Sequence, residues 1–316
     1  MNSSIDISII IPVYNCADYI KACIDSLLAQ KEVSCELIFI NDGSTDNSKD
    51  IIEQYKAQYK NIILINQNNQ GPATARNKGI EVATGIYTLF VDADDLVVPN
   101  SLHPIIHEAN KDYIEILQLA NYINSNNRTK KARKIYPISK TINGIDYFKI
   151  MQKKRCFTAG TFNHLIRTEY LKKLPFRFDR SLLRCQDLEF FTKAILKTNF
   201  IRNFNMPYYI YNINTPTGGH QSRNNHILVF ECYRIIRKNF KDFIKQEKLG
   251  KNIEKRLEYL ICSHVYGYNN EVLNSLPSFT RKFWSMFVLK YIFYNKGWLR
   301  PWLWKKFILL KKIYNL

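Results

Sequence analysis

The chain has 316 residues, 46% of them apolar, and its 46 Lys+Arg against 27 Asp+Glu give a formal charge of +19. This length suggests two domains, or one large domain with an appendage, with a sizeable core, and the charge points to an anionic partner such as nucleic acid, a membrane surface or a phosphorylated substrate. Seven cysteines, an odd number without a C-x-x-C pair, exclude a zinc-ribbon or disulfide framework and suit a reduced, cytosolic setting.

Ile7–Val13 is a near-continuous apolar run, the pattern of a strand buried on both faces. It is too short, and lacks the basic lead-in, to read as a signal peptide. Tyr19, Ile20, Cys23, Ile24, Leu27 and Leu28 then recur at helical spacing. A second strand over 35–40 stops at Asn41-Asp42-Gly43-Ser44, and a helix follows over 50–59. A third strand over 61–65 leads to Gly71-Pro72, with Pro at a first helical position, and a helix to about 83. The fourth strand, 86–91, ends in Asp92-Ala93-Asp94-Asp95. Four alternations of strand and helix with short connections predict a parallel α/β sheet, with a nucleotide-binding half ending near residue 100. Cys16, Cys23 and Cys35 fall within these elements and read as small buried hydrophobes.

Beyond residue 100 the pattern is mixed. Residues 113–123 and 134–137 read as strands, 121–134 as a loop or hairpin turn, and 143–153 as a helix. Gln186-Asp187-Leu188-Glu189 opens a further helical segment, and 226–270 carries long amphipathic helices. The boundaries expected are thus 1–225 for one domain, in halves of 1–100 and 101–225, and 226–316 for a helical region ending in a tail over 278–316.

Three carboxylates in four residues repel one another, and at the carboxyl end of a buried strand a divalent cation is the natural compensation. Oxygen donors suit Mg²⁺ or Mn²⁺, and Mg²⁺ is commonly held by one or two carboxylates plus substrate phosphates. The bland alternative is a solvated Asp-rich turn before Pro99. Four strand ends carry polar loops: Pro12-Val13-Tyr14-Asn15, Asp42-Gly43-Ser44, Asn68 to Pro72 with Arg76-Asn77, and the acidic cluster. A carboxylate can accept a base imide N–H, an aromatic can stack on the base, and an Arg can face phosphate.

At these residues the chain resembles the inverting glycosyltransferases of family 2, which have the GT-A fold. The strings are IIIPVYN, INDGSTD, NQGPATARNKGI and FVDADD, in order across residues 7–98. The resemblance implies a Rossmann-like, mostly parallel sheet flanked by helices, with a helical, basic-aromatic appendage at the C-terminus. It puts Pro12, Val13, Tyr14 and Asp42 around the nucleotide base and Asn69 and Arg76 near ribose and phosphate. Asp92 falls by the nucleotide, and Asp94 is the ligand of Mn²⁺ or Mg²⁺. The plain alternatives are a turn former for Asp42, a loop residue for Asn69, and a solvated position or an ion pair with Glu81 for Arg76.

In such families the base is the Asp of a Glu-Asp pair near the start of a later helix. Here the pair is Gln186-Asp187, so the first carboxylate is missing, yet Asp187 alone suffices to take a proton from an attacking hydroxyl. Its alternative role is a helix N-cap. His220, in the glycine-rich stretch 217–222, and Arg223 are weaker candidates for contact with diphosphate or metal.

From Val272 to Leu316 there are nine Lys or Arg, no Asp or Glu, and all four tryptophans. Leu303, Phe307, Leu310 and Tyr314 form one helical stripe beside Lys306 and Lys311, and Phe283, Phe287 and Tyr294 another. That makeup fits a helix lying in an anionic membrane surface, or else one packed on the protein. No run approaches the 18 apolar residues of a spanning helix.

The expectation is an enzyme at the cytoplasmic face of a membrane, peripheral on it. It would move a sugar from a nucleotide sugar, UDP-linked, to a glycan or lipid-linked acceptor in cell-surface polysaccharide synthesis. No nucleic-acid partner is expected, because no RNA-binding motif accompanies the basic residues. A nucleotidyltransferase and a non-catalytic binding protein remain as other readings.

Overall fold

The structure is a computed structural model that describes residues 4–125, 129–132, 135–212 and 226–266. The chain divides into two compact units, Met1–Arg223 and Asn224–Leu316.

The first unit begins with β1 (Ile7–Val13), α1 (Ala17–Leu28), β2 (Cys35–Asp42), α2 (Ser48–Gln58), β3 (Ile62–Gln67), α3 (Pro72–Val82) and β4 (Tyr87–Phe90). These strands lie parallel in the order β3-β2-β1-β4, so the chain reverses its winding between β1 and β4. The crevice at such a reversal is where open α/β sheets bind ligands. The apolar run of β1 is explained by its two covered faces. Ile9, Ile11 and Val13 join a core with Ile20, Cys23, Ile24 and Leu27 of α1. Ile10 meets α3 so closely that a Cβ on Gly79 would lie 2.3 Å from its Cγ2.

The sheet then continues with β5 (Leu96–Val97), α4 (Leu102–Ala109), β6 (Ile116–Ser125), β7 (Thr129–Ala132) and α5 (Gly144–Lys153). A turn of 3-10 helix (Thr161–Asn163) precedes β8 (His164–Arg167), α6 (Thr168–Lys173), α7 (Gln186–Lys197) and β9 (Ile201–Asn212). Past β4 the order is β8-β6-β9-β5. β8 is antiparallel to both β4 and β6, β9 is parallel to β6, and β5 is antiparallel to β9. β4 therefore lies four strand steps from β5, about 19 Å across a flat sheet. The short link between them contains a turn, Asp95 N–H donating to the Asp92 carbonyl at 3.1 Å, so the sheet must curl to close that gap. Register shifts on β6 at Leu119/Ala120 and Ala120/Asn121 supply local bends.

Residues 121–134 turn out to hold the end of β6 and the strand β7, paired antiparallel as a hairpin. The strand expected at 134–137 is absent over 135–137, where the chain is irregular. Short elements escaped the sequence reading: β5, β8, α4 and α6 are too brief to build a periodic signal, and β9 carries Pro207 in its middle. Cys16 and Cys23 are buried and Cys35 is half-buried. Burial pushes the Cys16 thiol up to about 11 and that of Cys35 to about 12, which makes them poor nucleophiles at neutral pH.

The start of α5 packs on the end of α7. The Gly144 amide donates to the Thr198 carbonyl at 2.8 Å, and a Cβ on Gly144 would sit 1.5 Å from the Ile195 carbonyl oxygen. Only glycine permits that approach. In the second unit, α8 (His226–Gln246) and α9 (Lys251–Tyr266) pack on one another through Ile236, Phe240, Leu257 and Ile261. Arg237 Nε meets both carboxylate oxygens of Glu258 at 2.8 and 2.9 Å. The basic tail over 278–316 lies outside the described residues.

β9 is fixed to α4 by a buried pair: the Arg202 guanidinium donates to the Glu108 carboxylate and, at 2.7 Å, to its carbonyl. The Arg202 side chain is 4% exposed. Hydrogen bonds from Lys111, then Arg202, hold the Glu108 carboxyl below the usual carboxylate range despite its partial burial. Glu108→Ala strands a buried cation and is expected to cost about 3–5 kcal/mol in urea unfolding. Lys111→Ala, on the exposed side of the same carboxylate, should cost about 0–1 kcal/mol. The Glu108 contribution is present at neutral pH and declines as acid protonates the folded carboxylate, so the two variants should converge in acid. Equal costs at neutral pH would show the pair to be unimportant.

Candidate active site at the strand ends

Each loop at the carboxyl ends of β1 to β4 is tied to the next by side-chain hydrogen bonds. Asn15 has φ 51°, and its side-chain oxygen accepts from the Thr45 amide at 2.8 Å, joining the β1 loop to the β2 loop. The Ser48 hydroxyl accepts from the Cys16 amide at 2.8 Å, and Asp46 accepts from the Ala17 amide at 2.9 Å. Tyr14 projects above these contacts with 48% of its surface exposed, while Val13 keeps its side chain in the core and Pro12 is half-buried.

Asp42 is buried, and its carboxylate organises the β3 loop. It accepts from Gln67 Nε2 at 2.7 Å, from the Gln70 amide at 2.9 Å and from the Gly71 amide at 2.8 Å. Asn69 is exposed at the crest of that loop. Gly43, at φ +73°, lets it come close: a Cβ there would meet the Asn69 amide nitrogen at 2.8 Å. A larger residue at 43 would need both a left-handed backbone and a displaced loop.

α3 starts at Pro72 and carries Arg76 and Asn77 into the protein. The Asn77 side chain both donates to and accepts from the Phe178 backbone, each at 2.9 Å, which fixes the segment leading to α7. Arg76 points to the acidic loop. Its Nη2 pairs with Asp92 Oδ1 at 2.9 Å, its Nη1 lies 3.4 Å from Gln186 Oε1, and the guanidinium sits over the Phe178 ring at 5.7 Å. Glu81, offered by the sequence as an alternative partner, pairs with Lys78 at 3.0 Å instead.

The acidic loop is held from the far side by β9. The Tyr209 hydroxyl donates to Asp95 Oδ2 at 2.6 Å and accepts from the Asp92 amide at 3.1 Å. The Asn212 amide donates to Asp95 Oδ1 at 2.8 Å. Burial, then the charges of Asp92 and Asp94, push the Asp95 carboxyl well above the usual range. Asp95 is thus a structural residue, whereas Asp92 and Asp94 are half-buried at the mouth of the strand.

No group of three or more His, Cys, Asp or Glu side chains arranged to hold a metal occurs among the described residues. The donor set fits a hard cation that takes one or two carboxylates here and the rest of its shell from substrate phosphate and water.

Asp187 is the second residue of α7, half-buried, with Oδ1 accepting from the Leu188 amide at 2.9 Å. It is not the N-cap. That position belongs to Cys185, held left-handed at φ 57°. Gln186 is buried, its amide donating to the Leu182 carbonyl. Glu189 is fully buried against Lys193 at 2.5 Å, which removes it from any surface where it could serve in place of Asp187. His220 and Arg223 lie outside the described residues.

Sequence reasoning missed Tyr209, the structural use of Asp95, and the contact of Gln186 with Arg76. A tyrosine in an apolar strand carries no local signal that its hydroxyl is needed elsewhere. Asp95 did offer one, as a carboxylate followed directly by apolar Leu96. Tyr209→Phe removes one donor from buried Asp95 and one acceptor from the Asp92 amide, and is expected to cost about 1–3 kcal/mol in urea unfolding. An unchanged midpoint would mean that the acidic loop does not depend on this hydroxyl.

Residues 8–174 match the family model described as Glycosyl transferase family 2. The chain is 46% identical over 118 residues to an uncharacterized glycosyltransferase, YibD, of Escherichia coli, covering 37% of this chain and 34% of that protein. It is 33% identical over 221 residues to a poly(ribitol-phosphate) beta-glucosyltransferase of Bacillus spizizenii, covering 68% of this chain and 33% of that one. The matched stretches thus span about a third of each of these relatives. Among solved structures, S. aureus TarS 1-349 in complex with UDP-GlcNAc superposes with a TM-score of 0.68 at 21% identity, over 91% of this chain and 81% of that one. That likeness is one of fold, the GT-A arrangement of a curled, mostly parallel sheet flanked by helices.

Proposed function

The chain belongs to glycosyl transferase family 2, and from that premise we propose that it transfers a sugar, with inversion, from a UDP-linked donor to a glycan or lipid-linked acceptor of the bacterial cell surface. The observation that carries this reading is the Arg76 guanidinium, set between Asp92 of the acidic loop and Gln186, the residue before Asp187. One side chain thereby couples the nucleotide half of the sheet to the start of α7.

In this reading Tyr14 stacks on the base, and Pro12 and the Val13 backbone line its edge. Asp42 keeps the β3 loop in register and offers its remaining lone pair to the base imide. Asn69 and Arg76 face ribose and phosphate, and Asp92 lies by the nucleotide. Asp94, with Asp92 beside it, would hold Mn²⁺ or Mg²⁺, and such an ion would supply Lewis-acid stabilisation of the diphosphate leaving group. Asp187 takes the proton from the acceptor hydroxyl. The acceptor oxygen forms a bond to the anomeric carbon as the bond from that carbon to the diphosphate oxygen breaks, and the electron pair leaves with the diphosphate. No covalent enzyme intermediate is needed, and an α donor gives a β linkage. Gln186 is neutral where the family has a carboxylate. Arg76 therefore faces one carboxylate, Asp92, beside the neutral Gln186.

Asp94→Asn is expected to abolish transfer and the Mn²⁺-dependent part of UDP binding without lowering the unfolding midpoint. Full UDP release from a donor screen in excess EDTA would refute the metal assignment. Asp187→Asn should lower kcat by about 10²–10⁴ while UDP affinity stays within about twofold. Normal turnover in that variant would end its assignment as base.

We also propose that the tail after about residue 278 attaches the enzyme peripherally to the anionic cytoplasmic face of the membrane. No helix among the described residues is long and apolar enough to cross a bilayer. Attachment by basic and aromatic residues is part electrostatic and part apolar, so salt should weaken it without abolishing it. Liposome co-sedimentation of the full chain should therefore require anionic lipid and decline across a salt series. Equal sedimentation with neutral lipid, or by a form ending near Pro277, would refute the anchor.

A further inference from the structure

Charge is segregated along the first unit. Residues 1–127 carry 8 Lys+Arg against 16 Asp+Glu, whereas residues 128–184 carry 16 against 3. An acidic half that binds a nucleotide diphosphate needs a cation to do so. The basic stretch lies beyond it in sequence, immediately before the helix that bears Asp187.

Several of these cations are committed within the fold. Lys149 pairs with Asp146, Lys173 with Glu169, and Lys172 donates to the Glu81 carbonyl. Arg167 donates to the Ile114 carbonyl and the Tyr87 hydroxyl, and Arg177 to the carbonyls of Lys172, Leu174 and Phe176. Another set is placed differently. Lys153, Lys154 and Arg155 are exposed at the C-terminal end of α5. That end of α5 leads into the loop that carries Phe162. Lys154 is steadied there over the Tyr136 ring at 4.5 Å. Arg180 is exposed and Arg184 half-exposed in the turn that leads into α7, on either side of Leu183, which is 66% exposed.

Two separate basic segments thus adjoin elements of the site, Arg180 and Arg184 just before the helix of Asp187 and Lys153 to Arg155 just before the loop of Phe162. The loop after α5 also reaches the acidic cluster: Phe162 stacks on Tyr209 at 4.5 Å, and Tyr209 holds Asp95 and Asp92.

We propose that this basic rim binds a polyanionic acceptor glycan, one bearing phosphodiesters or carboxylates along its chain, with Lys153 and Arg180 as its principal contacts. The inference rests on the reading of Asp187 as the base toward which the acceptor hydroxyl is delivered. Positive groups around that carboxylate draw a charged chain to it and raise the association rate, an effect that salt suppresses.

The test reads binding without turnover, so it stands apart from whether any donor is used. Full-length protein is titrated with poly(glycerol phosphate), polygalacturonate and neutral dextran at 50 and 300 mM salt. Three forms are compared: wild type, Lys153→Ser/Arg180→Ser, and Lys305→Ser/Lys306→Ser as an equal change of charge in the tail. The rim variant should bind at least one polyanion about tenfold more weakly than wild type at low salt, with the gap narrowing at high salt. Whichever polymer responds identifies phosphodiester or carboxylate as the charge read. UDP affinity and the unfolding midpoint should be unchanged in the rim variant. The proposal fails if wild type binds neither polyanion, if dextran binds as well, or if the rim and tail variants lose affinity equally. It also fails if the rim variant is weakened only on anionic vesicles, which would make the rim a lipid contact.

Discussion

Three carboxylates within four residues, at the end of a strand buried on both faces, set the constraint that the rest of the first unit satisfies. Repulsion between charges a few ångströms apart in a poorly solvated site amounts to several kcal/mol if nothing offsets it. The protein answers each carboxylate differently. Asp92 receives a guanidinium, Asp95 is shielded from water and given two donors that favour the loop geometry, and Asp94 stands half-buried at the mouth.

That solution shapes distant parts of the chain. Arg76 must be inside, so α3 presents a cation and an amide to the interior where an ordinary amphipathic helix would present leucines. Tyr209 must reach the loop, so β9 is long and curls with its neighbour β6. The buried Arg202–Glu108 pair then secures the start of β9 to α4.

How much of this was legible in the sequence follows the same division. β1 to β4, α1 and α2 announce themselves because each is periodic or continuously apolar over at least a turn or a strand length, and α3 is marked by Pro72 at its first position. The acidic loop, Asp42 and Arg76 stood out as polar residues at the ends of such runs, and the hydrogen bonds that gather them agree with that placement. Beyond residue 100 the legible elements were α5, α7, α8 and α9, with helical periods, and the long strand β6. β8 could not be read from its own residues: His164-Leu165-Ile166-Arg167 is four residues long and owes its strand state to β4 and β6 on either side. Tyr209 was invisible for another reason. Its hydroxyl serves partners more than a hundred residues earlier, and no local period encodes that.

The curl of the sheet has one further consequence. β4 and β5 belong to one continuous sheet, and the acidic loop between them is a short bridge clamped at both ends and gripped in the middle by a phenol. Such a segment has little conformational freedom left to lose. A ligand meeting it forfeits little ordering entropy, and the geometry it finds is already the one it will keep. Displacing this loop would require uncurling the sheet that carries it.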